Sequence, residues 1–176
     1  MNYSLTPIHR LAVLIMAVLL SACAGYSGSN LKTGIATLPE VIASMGEQAM
    51  RWKEADGREQ LAYPRGPGGN HTYMVFMTRD GRLDSIKNVL DYEHFGRIQP
   101  GMNKDDVLRL IGPPQPQWTM YFKARDELAW EWRFCNGWNE QSRFDVLFDG
   151  TTGIVRSTLQ LTEMSGPGGG PAGCSR

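Results

Sequence analysis

The chain has few of the features that define the larger functional classes of protein. It has three cysteines in 176 residues, and its 18 Lys and Arg residues are balanced by 18 Asp and Glu residues. A nucleic-acid-binding surface normally shows clustered basic residues, so this even balance argues against a nucleic-acid partner. The Gly-x-Ser-x-Gly and His-Glu-x-x-His motifs are also missing, and we predict no catalytic residue, no metal site and no cofactor.

Long apolar runs are scarce as well, and the one present lies near the N-terminus. Leu11–Leu20 is uninterrupted, but a transmembrane helix needs about 20 apolar residues. Met1–Arg10 before it is polar and ends on a basic residue, and the small residues Ser21 and Ala22 follow it. This arrangement is typical of a secretory signal peptide, so residues 1–22 are predicted to be removed.

Cys23 follows the predicted cleavage point. The preceding Leu20, Ser21 and Ala22 resemble the lipobox of bacterial lipoproteins, which places an apolar residue and two small residues before an obligatory cysteine. The resemblance implies that Cys23 becomes the lipid-bearing N-terminus, with acyl chains such as palmitate that anchor it stably. It also implies the periplasmic face of the outer membrane, because Ala24 stands where inner-membrane lipoproteins tend to have Asp. The alternative is an ordinary signal cleaved near Ala22 or Ala24.

Two cysteines then remain, Cys135 and Cys174. In an oxidising compartment such as the periplasm, an even number of cysteines indicates a disulfide. This bridge would tie the Gly/Pro-rich tail, residues 163–176, back to the rest of the chain. Two unpaired thiols are the alternative, and a Cys135 nucleophile with a distant histidine is a remote one.

The rest of the mature chain contains an internal repeat. Five positions recur at a constant offset of 66 residues. A repeat of this length indicates a duplicated domain rather than a solenoid. The recurring residues are Thr37, Glu40, Val41, Gly46 and Trp52 in the first copy, and Asn103, Asp106, Val107, Gly112 and Trp118 in the second. Because Trp52 and Trp118 both recur after the helix, we expect them to be core anchors of the two copies.

Each copy is predicted to begin with a helix. Thr37 with Glu40, and Asn103 with Asp106, have the spacing of a capping box, in which two side chains satisfy free backbone groups at the helix start. The apolar residues that follow have helical spacing. Gly46 and Gly112 stand where a left-handed residue commonly ends a helix, and proline after the second glycine prevents continuation.

Alternating apolar and polar residues follow each helix. Such period-two patterns, separated by turn residues, predict an antiparallel three-strand meander with one apolar face covered by the helix. The fold class is therefore predicted to be α+β, with two tandem helix-plus-meander units. The alternating apolar residues are Trp130, Trp132 and Phe134, then Phe144, Val146 and Phe148, then Val155, Leu159 and Leu161; the first copy shows a weaker form over Leu61/Tyr63, Tyr73/Val75/Met77 and Leu83–Val89.

The second copy resembles the SmpA/OmlA (BamE-like) domain family of outer-membrane lipoproteins. The likeness covers about residues 97–161 well and about residues 31–90 weakly. It implies a role in outer-membrane protein assembly or envelope integrity. The matching residues are Gly101-Met102, Val107, Gly112-Pro113, Trp130-Glu131-Trp132, Val146-Leu147-Phe148-Asp149 and Gly153-Ile154-Val155.

Two copies in tandem are also similar to the fold of the β-lactamase inhibitory protein family. This second resemblance implies an inhibitor or binding module directed at an envelope enzyme. We accordingly expect a lipidated linker over residues 23–30, a divergent first repeat over 31–95, a second repeat over 96–162 and a tail over 163–176. We do not expect the protein to be an enzyme. Its expected partners are the membrane, which it contacts through its N-terminal lipid, and another protein of the envelope.

Trp138 is the best single candidate for a partner-binding residue. It lies in a polar stretch predicted to be a hairpin loop, and aromatic residues concentrate at binding hot spots. It could instead fold over the end of the hairpin. A metal site at Asp91, Glu93 and His94 is conceivable, but no second His or Cys cluster supports it.

Overall fold

The computed structural model describes residues 27–65, 69–166 and 169–174. The predicted signal peptide and Cys23 lie outside these ranges. The fold is α+β, with two antiparallel sheets of four strands each, and each sheet follows a helix in the chain. The elements are α1 (Leu38–Met45), β1 (Met50–Lys53), β2 (Glu59–Arg65), β3 (His71–Met77), β4 (Leu83–Asn88), α2 (Tyr92–Phe95), α3 (Lys104–Ile111), β5 (Met120–Phe122), β6 (Glu127–Cys135), β7 (Gln141–Asp149) and β8 (Val155–Thr162).

The prediction of three-strand meanders is wrong by one strand in each sheet. Sheet 1 has the order β1-β2-β3-β4 and sheet 2 the order β5-β6-β7-β8, so an extra strand, β1 or β5, precedes each predicted meander. These two strands have four and three residues. A strand this short places only one or two side chains on each face, so it carries no readable period of two.

The two longer helices, α1 and α3, begin at the predicted capping boxes. The backbone N–H of Thr37 donates to Glu40 Oε2 at 2.7 Å. In α3 the exchange is reciprocal, since Asn103 N–H donates to Asp106 Oδ2 at 2.9 Å and Asp106 N–H donates to Asn103 Oδ1 at 3.1 Å. These bonds satisfy donors that the first helical turn cannot use, and they explain why both boundaries were readable from sequence.

Both helices also end at the predicted glycines. Gly46 and Gly112 have φ of 80° and 73°, the positive values expected, but their ψ values of −170° and −175° are extended rather than left-handed helical. This backbone region is essentially restricted to glycine. A Cβ on Gly112 would in addition lie 2.7 Å from Thr72 Cγ2, so the helix end also needs glycine for close approach to sheet 1.

The helices and sheets stack in the order α1, sheet 1, α3, sheet 2. One core cluster joins α1 to sheet 1 and includes Val41, Leu61 and Tyr63. The other joins α3 to both sheets, since it contains Ala62 of sheet 1 together with Val107 and the aromatic face of sheet 2. The expectation that each helix covers only its own sheet is therefore wrong for α3, which is the shared middle layer.

Polar contacts attach α3 to sheet 1 as well. Trp52 donates its indole N–H to Asp105 Oδ1 at 3.0 Å. Arg109 forms an ion pair with Glu54, in the turn after β1, at 2.6 Å and another with Asp105 of its own helix at 2.7 Å. Trp52 is buried in this core, as its recurrence after the helix predicted.

The segments before α1 and α3 make similar backbone contacts, through residues two apart in the first half of the chain and through adjacent residues in the second. In each case the segment forms a short two-bond ladder with the first residue of the last strand of the sheet. The four bonds are Gly34 N–H to Leu83 O at 2.7 Å, Leu83 N–H to Ala36 O at 2.7 Å, Gly101 N–H to Val155 O at 3.0 Å and Val155 N–H to Met102 O at 2.8 Å.

Candidate protein-binding surface

Among the residues that the structure describes, one face of sheet 2 has no α-helix packed on it, and a short 3-10 turn at Pro116–Trp118 lies over part of that face. Sheet 1 has α1 on one side and α3 on the other, whereas sheet 2 has only α3, with the short α2 beside it. We call the uncovered side the outer face. The register of the strands assigns to it Met120 and Phe122 of β5, Ala129, Glu131 and Arg133 of β6, Arg143, Asp145 and Leu147 of β7, and Leu159 and Leu161 of β8.

A β-bulge decides which residues of β8 reach the outer face. Val155 lies opposite Phe148 and is buried, but the register shifts there and Leu147 lies opposite Ser157. An extra residue in one strand moves every later side chain to the other face. The expectation of one continuous apolar face is therefore wrong for β8: Leu159 and Leu161 point outward and are 45% and 41% exposed.

The centre of the outer face is a network of charged side chains. Arg143 Nη1 lies 3.3 Å from Glu131 Oε2, and Arg133 Nε lies 3.0 Å from Glu163 Oε1. Asp145 stands directly opposite Glu131 in the ladder. The network holds two arginines, and no lysine occurs among the residues of the outer face.

The surroundings of Asp145 in this network disfavour its charged form. Half-burial, and then the negative charge of Glu131, raise the pKa of Asp145 to about 6, and Arg143 offsets this only in part. Because the pKa is higher in the folded than in the unfolded chain, this group favours folding at low pH. That contribution is lost as the pH rises from about 4 through 6.

Asp145→Asn should therefore stabilise the protein at pH 7 to 8. We expect a gain of about 1 kcal/mol in the free energy of unfolding, allowing for the screening of a half-buried group by water, and no gain near pH 4. Urea unfolding at a series of pH values measures this. Asp84→Asn, which removes an exposed carboxylate from β4, is the matched control. A gain that does not depend on pH would contradict the assignment.

Trp118 lies over this network rather than in the core. Its ring is 4.3 Å from the guanidinium carbon of Arg133, a cation–π geometry, and it belongs to a short 3-10 turn that contacts β6. The interpretation of Trp118 as a core anchor equivalent to Trp52 is wrong, whereas Trp130 and Trp132 do share the inner face with Phe148.

Trp138 is the most exposed aromatic residue of those described, at 84%. It lies in the hairpin between β6 and β7, as predicted, where Asn136 Oδ1 accepts its backbone N–H at 2.9 Å. Asn139 completes the turn with a φ of 61°. The loop is thus ordered by local hydrogen bonds, while the indole ring is presented to solvent.

Cys135 and Cys174 lie at disulfide distance, with their sulfur atoms 2.11 Å apart. The tail also bonds to the sheet through its backbone: Gln141 donates to the Ala172 carbonyl, and Cys174 donates to that of Asn139. The tail is thus held beside the hairpin that carries Trp138. Since its sulfur is bonded, Cys135 does not act as a nucleophile in this state.

Removing the bridge should destabilise the domain. A disulfide that closes a loop of this size, with a sequence separation of 39, contributes about 2–4 kcal/mol. We expect the double variant Cys135→Ser, Cys174→Ser to lose that amount in urea unfolding. Wild-type protein treated with dithiothreitol should match it, while the reductant should not affect the double variant. A wild type that reductant leaves unchanged would contradict this contribution.

Asp91 and His94 have a structural role at the start of α2. Asp91 Oδ1 accepts the backbone N–H of His94 at 2.9 Å, capping α2, and lies 2.7 Å from the ring Nδ1. Within the described ranges, no group of three or more His, Cys, Asp or Glu side chains could hold a metal ion. No helix among the described residues is long and apolar enough to cross a membrane.

No family model matches the chain, and no curated protein matches it at a significant level. The sequence pointed to Trp138 in the neighbouring hairpin, but it did not predict the outer face itself. The alternation of apolar residues in β6 and β7 assigns those residues to the inner face. Arg133, Arg143 and Asp145 lie between them in the sequence and therefore point outward. Nothing in the sequence signals the bulge that adds Leu159 and Leu161 to them.

Proposed function

We propose that this protein is a lipoprotein of the outer membrane that acts without catalysis, as a scaffold or accessory factor in outer-membrane protein assembly or envelope integrity. The signal-like N-terminus with Cys23 supports the anchor. The outer face of sheet 2 supports a partner, because it is the sheet surface that the two longer helices leave uncovered. That face is the single observation on which the binding role depends.

The composition of the outer face fits a protein partner. Interfaces are enriched in aromatic residues, Met and Arg, and depleted in Lys. Met120 is 57% exposed and Phe122 36%, and they flank the arginine network on one side as Leu159 and Leu161 flank it on the other. Two partly exposed arginines, each ion-paired with a glutamate and lying between apolar margins, are suited to recognising another folded or extended chain.

The two halves of the chain are proposed to be tandem copies of one BamE-like unit. The similar two-bond ladders before α1 and α3, the paired capping boxes and the two glycine ends support this. A register shift also occurs at the same place in both sheets, between Phe76 and Met77 and between Leu147 and Phe148. Duplication accounts for all of these with one ancestral unit.

An inhibitor or binding module directed at an envelope enzyme is the second candidate. The protruding Trp138 favours it, since an exposed aromatic on a disulfide-anchored hairpin can enter a concave site on another protein. Trp138→Ala would then lower affinity for a single soluble enzyme. In the scaffold function, the broad outer face rather than one tip would contribute most of the binding.

Capture from detergent-solubilised envelopes tests the proposal. Leu161→Glu puts a charge at the apolar margin of the outer face, and Ile35→Glu, at an exposed apolar residue before α1, is the matched control. We expect barrel-assembly components to be captured by the wild type and by Ile35→Glu, and to be lost from Leu161→Glu. Capture of one soluble hydrolase that Trp138→Ala abolishes would favour the inhibitor. Equal capture by all variants would contradict the outer face as the site.

A further inference from the structure

The last strand of sheet 2 has a free edge. β8 ends the strand order β5-β6-β7-β8, and seven of its eight residues are exposed. Glu163 donates its backbone N–H to the Gln141 carbonyl, so these residues stand at the position of a hydrogen-bonded pair, although the Gln141 N–H itself donates to Ala172 of the tail. Such pairs alternate along an antiparallel ladder, so Leu159 and Leu161 bond to β7 as well. The backbone groups of Thr158, Gln160 and Thr162 therefore point away from the sheet.

Those edge groups have no partner within the described parts of the chain. The same edge is paired one step earlier, where Val155 exchanges both of its backbone bonds with Gly101 and Met102. Beyond that point, no backbone or side-chain hydrogen bond reaches the main chain of Thr158–Thr162 from outside the ladder, among residues 27–65, 69–166 and 169–174. About five residues, or about 17 Å of edge, are thus open.

The open edge lacks the devices that usually block strand addition. Natural edges are protected by Lys and other charged residues, proline, short length or a bulge. The segment 157–162 reads Ser-Thr-Leu-Gln-Leu-Thr, with neither charge nor proline, and its bulge lies before it. By contrast, β5 has only three residues, β1 has four including Arg51 and Lys53, and β4 carries Asp84 and Lys87.

Apolar side chains flank the edge on both faces of the sheet. Leu159 and Leu161 lie on the outer face. On the inner face Tyr92 is 52% exposed, stands edge-on to Phe134 at 5.7 Å and accepts a hydrogen bond from the Gln160 side chain at 3.3 Å. A strand laid against β8 would find an apolar neighbour for its outward residues and an aromatic one for its inward residues.

We propose that the free edge of β8 binds an extended, uncharged segment of another protein, with alternating apolar and polar residues, as a fifth strand of sheet 2. Strand addition uses main-chain hydrogen bonds for affinity and alternate side chains for selectivity. The uncharged edge favours an uncharged segment, because a charge opposite it would lose water without gaining a partner. This inference rests on the proposed binding function and names the kind of partner that sheet 2 takes.

The test uses the full-length chain in mild detergent and a fluorescent ten-residue peptide in which leucine and threonine alternate between terminal lysines. Gln160→Pro removes one edge-facing N–H and leaves the β7 ladder intact, since edge strands tolerate proline at such positions. Gln160→Thr keeps the N–H and is the matched control. We expect Gln160→Pro to weaken binding at least about tenfold relative to Gln160→Thr, as measured by anisotropy.

A second probe does not depend on whether Gln160→Pro folds. The same peptide with every backbone nitrogen methylated keeps its side chains but has no N–H donors. It should bind the wild type at least about tenfold more weakly, because strand addition needs those donors. Equal binding of the two peptides would mean adhesion by side chains or detergent and would overturn the proposal.

Sedimentation of the protein without peptide tests whether a second copy of the chain occupies the edge. A dimer that Gln160→Pro dissociates would show that a second copy fills the edge, which also overturns the proposal. Failure of strand addition at the edge and failure of the proposed binding function would give different results. If Leu161→Glu abolishes envelope capture while Gln160→Pro and Gln160→Thr bind the peptide alike, the outer face stands as the partner site and the edge inference fails.

Discussion

Val107→Asp is expected to unfold the protein or to lower its free energy of unfolding by at least about 4 kcal/mol. Val107 has no exposed surface and lies on α3, between the two sheets. A carboxylate there loses its hydration and finds no cation in the apolar cluster, so it must be protonated or the layers must separate. Because α3 contributes to the packing of both sheets, the damage should reach both.

Val41→Asp is the matched comparison. Val41 is equally buried, but α1 packs on sheet 1 and not on sheet 2 in the part of the chain that the structure describes. Its cluster can open at the surface without disturbing sheet 2, so we expect a smaller loss and retention of the sheet 2 signals. Urea unfolding, with hydrogen exchange of the two sheets followed separately, measures both variants. Equal loss of both sheets in the two variants would contradict the placement of α3 as the shared layer.

Cys23→Ser is expected to release the protein from the membrane completely. Lipoprotein maturation requires the cysteine thiol as the acyl-bearing atom, and a serine cannot substitute for it. Labelling with radioactive palmitate should fall to background, and the protein should move from the membrane pellet to the soluble fraction at high salt. Ser21→Ala, which keeps the small residue in the lipobox-like motif, is the matched control and should remain in the pellet.

The opposite result would be decisive against the anchor. If Cys23→Ser still sediments with outer membranes after a high-salt wash, attachment depends on other residues. The outer-face variant Leu161→Glu then separates lipid from protein attachment. A protein held by a partner should be released by that substitution, whereas a protein held by lipid should not.

The helices were readable from sequence because their boundaries are local. A capping box joins residues three apart, and the glycine end needs only its own φ, so Asn103, Asp106 and Gly112 carried enough information by themselves. The inward alternation of β6 and β7 was readable for a similar reason, since Trp132, Phe144 and their neighbours repeat with a period that the strand geometry imposes.

The face of β8 was misread because register is not local. Val155, Leu159 and Leu161 alternate perfectly in sequence, yet a bulge between the first and the other two turns the leucines outward. Its position depends on how β8 meets β7 and on the bonds from Gly101 and Met102 to Val155. The strand β5 was missed because its three residues are consecutive, exposed and apolar or aromatic, so they show no alternation of apolar and polar side chains.

The amino-acid sequence by itself determined the α+β class, the start and end of both longer helices and most of the strands. Short-range hydrogen bonds and side-chain periodicity decide these features, and both can be read along the chain. The tertiary structure alone decided that α3 serves two sheets, and so that one sheet face and one strand edge remain uncovered. Those features depend on which surfaces meet. Among the described residues, α1 covers one sheet face and α3 covers two, and only the stacking order decides which of the four faces is left for a partner.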